Sequence, residues 1–233
     1  MRTFLELRTE ALACTRCRLA QGRTQVVFGV GDPNASLLFV GEAPGFHEDR
    51  QGVPFVGAAG QLLDTLCAEV GLSREHGVYI ANVLKCRPPA NRDPRPDEIE
   101  ACKPFLVEQL AHIDPGVVVT LGAFATRLLL EQVTGGPPDP WRIPVSRVAG
   151  YRFDLGGRTL IPTFHPAAAL RGNETALHAL RRDLRLAADV LAGRVPTAAE
   201  ALGLVQGVPP GDRAAEQSAL EHGLPTSAQS RLR

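Results

Sequence analysis

The chain has 233 residues, a formal net charge of zero and a hydrophobic fraction of 44%, which together allow one sizeable α/β domain with its own core. No apolar run approaches the ~20 residues of a membrane helix, and the N-terminal residues lack the apolar stretch of a secretion signal. We therefore expect a cytoplasmic protein with no membrane partner. Zero net charge does not decide for or against nucleic acid, because phosphate affinity depends on a local basic surface.

Helices and strands alternate along the predicted elements. Thr3 and Glu6 form a capping box for a first helix from Phe4 to about Leu12. Apolar runs predict buried strands and periodic leucines predict helices, with Pro104 expected to kink or break the third helix. The strands are expected at 36–40, 78–83, 117–121 and 159–164, with 151–155 as a hairpin partner of the last. The further helices are expected around Leu62–Val70, from Pro96 through Leu110, at 123–131 and at 174–191.

This alternation predicts the α/β class, as a three-layer α/β/α sandwich around a central, mainly parallel four-stranded sheet. The ligand site of such a sheet lies at the carboxyl ends of its strands. The motif GEAPG follows the first predicted strand, Asn82 ends the second and His165 follows the last. We assign the domain to residues 1–193, and we expect a disordered tail over 194–233 because its composition is polar and weakly periodic.

Five cysteines in a cytoplasmic chain favour a metal or redox centre over disulfides. Cys14 and Cys17 form a C-x2-C pair whose thiolates can bind one metal, and Cys86 and Cys102 complete a set of four ligands. Their spacing does not separate structural zinc from an iron–sulfur cluster, and the competing interpretation is a set of small buried hydrophobic residues. Cys67 lies on the apolar face of a predicted helix, so we assign it to the core.

Taken together, these segments resemble family 4 of the uracil-DNA glycosylase superfamily over roughly residues 10–192. Several motifs in the family's order carry the resemblance: C-x2-C at 14–17, GEAPGFHEDRQGVPFVGAAGQLL at 41–63, NVLKCRPPANRDPRPDE at 82–98, Cys102, and FHPAAALR at 164–171. The resemblance implies an enzyme that flips uracil out of DNA and hydrolyses its N-glycosidic bond, leaving an abasic site for base excision repair. It also implies a structural 4Fe–4S cluster on Cys14, Cys17, Cys86 and Cys102.

Three residues are expected to read the flipped base. Phe55, in the loop GVPFVG, stacks on uracil by similarity to the family. The Asn82 amide offers a donor and an acceptor, which suit uracil O4 and N3–H and mismatch cytosine. His165 donates to uracil O2, where negative charge gathers as the glycosidic bond breaks.

The GEAPG motif is expected to hold the catalytic carboxylate. By resemblance, Glu42 either positions the attacking water or stabilises the sugar cation, and the residues alone leave both roles open. Other families place Asp where this chain has Ala43. Glu48 and Asp49 are second candidates for the carboxylate at the substrate, although without the resemblance both would be solvated charges. Gly41 and Gly45 allow a tight turn whose backbone approaches the nucleotide.

DNA contacts are expected beyond the base pocket. Leu170 is the predicted wedge that fills the gap left by the flipped base, and Arg171 reaches a phosphate or the minor groove. A basic stretch lies beside the proposed cluster, consisting of Lys85, Arg87, Arg92 and Arg95. No lysine stands where a Schiff-base nucleophile is expected, so we predict hydrolysis without strand cleavage.

Two other functions fit parts of the sequence. One is a catalytically weak relative that binds uracil-containing or single-stranded DNA, and the other is an iron–sulfur or zinc protein unrelated to DNA. An iron–sulfur or zinc protein unrelated to DNA would not explain the motifs GEAPG and FHP. We expect a nucleoid-associated monomer whose partner is uracil-containing DNA, with the tail as a place for a replication or repair partner.

Overall fold

The structure is a computed structural model that describes residues 2–133 and 139–201. Its strands are β1 (Val30–Gly31), β2 (Leu37–Gly41), β3 (Val78–Asn82), β4 (Val117–Leu121), β5 (Phe153–Leu155) and β6 (Arg158–Thr163). Its helices are α1 (Phe4–Leu12), α2 (Phe46–Gln51), α3 (Ala58–Ala68), α4 (Pro96–Ile113), α5 (Ala123–Leu130), α6 (Pro166–Leu170), α7 (Glu174–Leu191) and α8 (Ala198–Ala201). Among these described residues, no helix is long and apolar enough to cross a membrane.

The strands form one six-stranded sheet in the order β1-β3-β2-β4-β6-β5. Its four central strands, β3, β2, β4 and β6, are parallel, which confirms the predicted mainly parallel sheet, but the sheet has six strands and not the four predicted. An antiparallel strand closes each edge. The sequence predicted the edge strand β5 as a hairpin arm and missed β1, because a two-residue strand is too short to show an alternating pattern.

The sheet separates two hydrophobic cores, as the predicted three-layer sandwich requires. Alternate residues along each strand point to opposite faces, so Leu38 and Val118 pack with α1, α4 and α5 on one side. Phe39 and Val119 pack with α3 and α7 on the other side. Both faces of the central strands are therefore buried, which is why these strands appear in the sequence as continuous apolar runs.

Two predictions about the chain's course differ in part from the structure. Helix α4 continues through Pro104 instead of breaking there, because Pro104 is exposed while Cys102, Phe105 and Leu106 are buried around it. Their burial offsets the hydrogen bond that the proline removes. The chain after residue 193 is also ordered at first, since Ala198 is buried and its N–H donates to Thr159. The remainder of the predicted tail, 202–233, lies outside the described residues.

The sheet brings the three motif-bearing strand ends to one edge. Gly41, the last residue of β2, pairs with Asn82, the last residue of β3. Strand β6 ends at Thr163, which pairs with the last residue of β4, and His165 follows two residues later. Parallel strands end on the same side of a sheet, so the turn after β2, the end of β3 and the start of α6 are neighbours, as predicted.

Candidate functional site

Gly41 stands at the centre of the site, and its lack of a side chain makes the site possible. A Cβ at this position would lie 2.7 Å from the Phe55 ring and would collide with the Asn82 amide oxygen. The absent side chain thus lets Phe55 and Asn82 approach the same point. Asn82 is 1% exposed, and its Oδ1 has no hydrogen-bond partner among the described residues. A buried, unpaired acceptor is unfavourable unless a ligand satisfies it.

Phe55 is held in a strained conformation by its surroundings. Its φ is +53°, a region that bulky residues rarely adopt. Arg74 donates to the Phe55 carbonyl at 2.9 Å, and Gly60 leaves room for that same carbonyl. The two residues after Phe55 are also held: the Glu48 carboxylate accepts from the backbone N–H groups of Val56 and Gly57 at 2.9 and 2.8 Å. Glu48 therefore fixes the loop that carries the aromatic ring.

His165 packs against the Phe55 ring and has a defined tautomer. The two rings are stacked, with centroids 5.6 Å apart. As the N-cap of α6, the His165 Nδ1 accepts from the Ala167 N–H at 3.1 Å, so the proton of the neutral ring sits on Nε2. Burial foremost, followed by the positive charge of Arg171, lowers the pKa of His165 to about 4. At neutral pH the imidazole is thus an uncharged hydrogen-bond donor.

Glu42 is the carboxylate of the turn after β2. It is partly buried, and no hydrogen bond or ion pair of its carboxylate occurs within 2–133 and 139–201. Burial raises the pKa of Glu42 to about 7, and the carboxylate of Asp93 contributes to the rise. Near neutral pH this group is therefore divided between its protonated and its ionised form. Its neighbour Ala43 packs partly buried against the core.

Leu170 and Arg171 lie at the end of α6, which begins directly after His165. Leu170 is 52% exposed, one of the few large apolar side chains on the surface of the described chain. Arg171 is also exposed and is close enough to lower the pKa of His165. The short helix therefore carries the imidazole at one end and an apolar and a cationic side chain at the other.

The four predicted ligand cysteines line one cavity. Cys14, Cys17, Cys86 and Cys102 all border it, with Arg23 and Phe105 among the other lining residues. All four are free thiols. Among the described residues, no three or more His, Cys, Asp or Glu side chains are close enough together to bind one metal ion. The four thiols therefore border a common cavity but do not converge on a single point. Cys67 lies apart from them, on the buried face of α3, and packs in the core as predicted.

Hydrogen-bond donors already face two of these sulfurs. Arg23 donates to the Cys86 sulfur at 3.4 Å and to the Cys14 carbonyl at 2.6 Å. The Lys85 N–H donates to the Cys102 sulfur at 3.2 Å. Burial raises the pKa of the Cys86 thiol, and it raises that of Cys102 to about 11. Donors of this kind stabilise thiolates in a buried metal site.

The predicted basic stretch is not one surface. Lys85 is only 2% exposed, and its ammonium donates to the Asn82 carbonyl and to the Gln109 side chain. Arg92 pairs with the buried Glu98, while Arg87 lies over the ring of the exposed Phe46, 5.1 Å from its centroid. Lys85 therefore shares no surface with the arginines of this stretch.

Sequence reasoning also missed residues that support the site without belonging to its motif-bearing strand ends. Arg74 and Gly60 hold the Phe55 loop, and Asp93 influences Glu42, yet none belongs to a strand end. For Lys85 a signal existed, since the lysine interrupts the apolar run Val83–Leu84 before Cys86. A charged residue inside a buried run predicts a paired interior charge.

Comparison with known proteins agrees with this geometry. The family model of the Uracil DNA glycosylase superfamily matches residues 28–185. The type-4 uracil-DNA glycosylase of Archaeoglobus fulgidus is 45% identical over 174 residues, which cover 73% of this chain and 84% of that protein. That of Thermotoga maritima is 46% identical over 165 residues, 70% of this chain and 81% of that protein. A type-5 uracil-DNA glycosylase of Thermus thermophilus is 35% identical over 153 residues, 59% of this chain and 67% of that protein. The chain therefore belongs to the uracil-DNA glycosylase superfamily and, within it, to the type-4 uracil-DNA glycosylases.

Proposed function

We propose that this uracil-DNA glycosylase flips uracil out of DNA into the site at the strand ends and hydrolyses its N-glycosidic bond, leaving an abasic site for base excision repair. The observation that carries the proposal is that Phe55 meets Asn82 at Gly41 and that His165 stacks on the same Phe55 ring. An enzyme that acts on a base takes it out of the stack, stacks it on an aromatic ring and reads its edge.

Asn82 selects uracil over cytosine. Its unpaired Oδ1 accepts the uracil N3–H, and its Nδ2 donates to O4. Cytosine presents an acceptor at N3 and an amino donor at C4. The Asn82 Oδ1 would then face an acceptor and its Nδ2 would face a donor. Rejection of cytosine follows from the unpaired groups that it would leave in a buried site.

His165 assists the departure of uracil. As the bond from C1′ to N1 breaks, its electron pair passes to the base and negative charge gathers on O2. The neutral imidazole donates its Nε2–H to that oxygen, and a fixed donor of this kind contributes ~3–4 kcal/mol to catalysis. Because burial lowers the pKa of His165 to about 4, the donor is uncharged throughout the neutral range.

Glu42 acts at the sugar. In its ionised form it holds the attacking water or stabilises the cation at C1′, and the water supplies the hydroxyl that C1′ gains. The water's remaining proton passes to Glu42 or to solvent. Either role requires the carboxylate, so activity depends on ionisation of a group whose pKa burial raises to about 7.

Leu170 and Arg171 hold the DNA. Leu170 enters the space that the flipped nucleotide leaves, and Arg171 neutralises a neighbouring phosphate. Their position on α6, directly after His165, supports this division of work. With Gly45 and Ala43 in the turn after β2, they complete the predicted contact set.

Cys14, Cys17, Cys86 and Cys102 would hold a 4Fe–4S cluster. The donor set fits, since four free thiols line one cavity and hydrogen-bond donors already face two of them. When bound, the cluster supplies a structural link between the residues after α1, the loop after β3, and α4. We propose uracil-containing DNA as the partner of a cytoplasmic, nucleoid-associated monomer.

Uracil release tests the proposal. An oligonucleotide with one U opposite G is incubated with the enzyme or with the His165→Ala variant and then treated with alkali. We expect cleavage only after alkali, and release slower by about 10²–10³-fold in the variant. Strand cleavage before alkali would contradict the monofunctional mechanism. No release from single- or double-stranded substrate would instead favour a catalytically weak DNA-binding relative.

A further inference from the structure

Lys85 is a buried charge that the proposed reaction does not use. It is 2% exposed and lies three residues after Asn82 and directly before Cys86. Within the described chain no carboxylate forms an ion pair with it. Burying an ammonium is unfavourable unless it is hydrogen-bonded and its charge is balanced. The burial of Lys85 therefore requires hydrogen-bond acceptors and a source of negative charge nearby.

The ammonium is hydrogen-bonded to the residue that reads the base. Its Nζ donates to the Asn82 carbonyl at 2.7 Å and to the Gln109 Oε1 at 2.5 Å. Gln109 is itself fully buried and donates to the Phe28 carbonyl at 2.9 Å. A chain of hydrogen bonds thus runs from Phe28, which precedes β1, through Gln109 of α4 and the Lys85 ammonium to Asn82, the last residue of β3.

The other side of Lys85 faces the cysteines. Its backbone N–H donates to the Cys102 sulfur at 3.2 Å, Lys85 is among the residues that line the cysteine cavity, and Cys86 is the next residue. Thiolates there would supply the negative charge that the interior otherwise lacks around this ammonium. One residue therefore connects the cysteine site with the backbone of Asn82.

We propose that Lys85 is a positioning residue, which holds Asn82 in the orientation that reads uracil while the thiolates of the cysteine site balance its charge. This inference rests on the proposed function, in which Asn82 contacts the base. It gives the cysteine site a second purpose, since an occupied cysteine site keeps Lys85, and through it Asn82, in place.

The test uses the full-length, cluster-loaded protein and the substitution Lys85→Met, which keeps the length of the side chain. Two ligands separate the roles: free uracil, which needs Asn82, and DNA with an abasic site, which has no base. We expect K85M to bind free uracil about tenfold more weakly, the loss of one buried hydrogen-bonded contact. Its affinity for abasic DNA stays unchanged.

The matched control is Lys103→Met, since Lys103 is the chain's only other lysine and pairs with Glu131. We expect K103M to bind both ligands as the unaltered protein does. Equal weakening of uracil and abasic DNA by K85M would show a general structural role and would overturn the proposal. Unchanged uracil affinity would overturn it as well.

A double-mutant cycle with Asn82→Ala makes the test specific. If Lys85 acts through Asn82, K85M has no further effect on uracil affinity in the N82A background, whereas independent effects add. Additivity would contradict the proposal. Failure of the proposed function is distinguishable, because the unaltered protein would then release no uracil and N82A would have no effect.

Gln109→Leu covers the case in which K85M loses the visible absorbance of its cluster. Gln109 is not among the residues that line the cysteine cavity, so this variant keeps the thiols' surroundings while removing one acceptor from Lys85. We expect a weaker effect in the same direction, about threefold on free uracil and none on abasic DNA. Q109L with unaltered uracil affinity would reject the hydrogen-bonded chain.

Discussion

The site at the strand ends and the cysteine cavity differ in whether their polar groups already have hydrogen-bond partners. At the strand ends, the Asn82 amide oxygen lacks a partner and no hydrogen bond among the described residues engages the Glu42 carboxylate. In the cysteine cavity, Arg23 and the Lys85 N–H already donate to sulfurs. The first site keeps binding capacity for a transient substrate, and the second is preorganised for a permanent occupant. Substitutions should therefore affect turnover in the first site and folding in the second.

The largest effect is expected for Glu42→Gln, which keeps the shape of the side chain and removes its charge. Loss of an ionised catalytic carboxylate lowers kcat by about 10²–10⁴-fold. In the unaltered enzyme, kcat should rise with pH up to about 7, where Glu42 becomes ionised, and then level off. E42Q should lose this dependence. A profile governed by a group near pH 4 would instead assign it to His165.

The stability of the folded protein should change with pH in the direction opposite to kcat. Glu42 has a raised pKa, so the folded protein retains its proton between about 4.5 and about 7, and stability falls as pH rises through this window. E42Q removes that penalty. We therefore expect E42Q to be more stable than the unaltered protein to thermal unfolding at pH 8, and equal to it at pH 4. A variant that loses both activity and stability at pH 8 would show a structural role.

The next effect is expected for Gly41→Ala. The added Cβ would lie 2.7 Å from the Phe55 ring and collide with the Asn82 amide, and misplacing groups by about 1 Å costs about 10²-fold in rate. The control is Gly22→Ala beside the cysteine segment, where a Cβ meets nothing within 4 Å. Single-turnover uracil release distinguishes them. Equal activities would show that the pocket adapts to a side chain at Gly41.

These predictions rest on a part of the site that the sequence predicts well. Asn82 and His165 were placed correctly because hydrophobic periodicity locates strand ends, and parallel strands bring those ends together. The partnership of Gly41 with Phe55 was out of reach, since it depends on a loop that turns back through a left-handed residue. Glu48 illustrates the same limit, because its contacts are backbone N–H groups eight and nine residues away.

Buried charges were the hardest part of the fold to predict. Asp49 follows Glu48 in a polar segment that suggests a solvated surface, yet it is 4% exposed and accepts from the Thr24 N–H. Lys85 depends on Gln109, 24 residues later. Short-range patterns report burial of apolar side chains, whereas a charged side chain is buried only because of a distant partner.

A smaller effect on turnover, and a larger one on folding, is expected for Cys17→Ser. Loss of a ligand should remove the visible absorbance of the cluster, and the lost binding free energy should lower the midpoint of thermal unfolding by ~10 °C. Uracil release at a temperature where the variant is folded should fall about tenfold. Cys67→Ser is the control, since Cys67 lies on the buried face of α3 and does not line the cysteine cavity. It should keep the absorbance. Loss of colour in both variants would contradict the assignment of ligands.

The smallest effect is expected for Arg171→Ala. One phosphate contact fewer should weaken binding of uracil-containing DNA a fewfold and reduce the salt dependence of log Kd by about one, with kcat unchanged. The control is Arg142→Ala, an exposed arginine that pairs with Asp139. It should leave the salt dependence as it is.

Arg171→Ala also separates two causes acting on His165. The charge of Arg171 lowers the pKa of His165, but burial is the larger cause. Removing the arginine should therefore raise that pKa only in part, and the imidazole stays neutral at pH 7. The pH profile of kcat above pH 6 should accordingly match that of the unaltered enzyme. A new loss of activity between pH 6 and 7 in R171A would mean that Arg171, more than burial, keeps His165 uncharged.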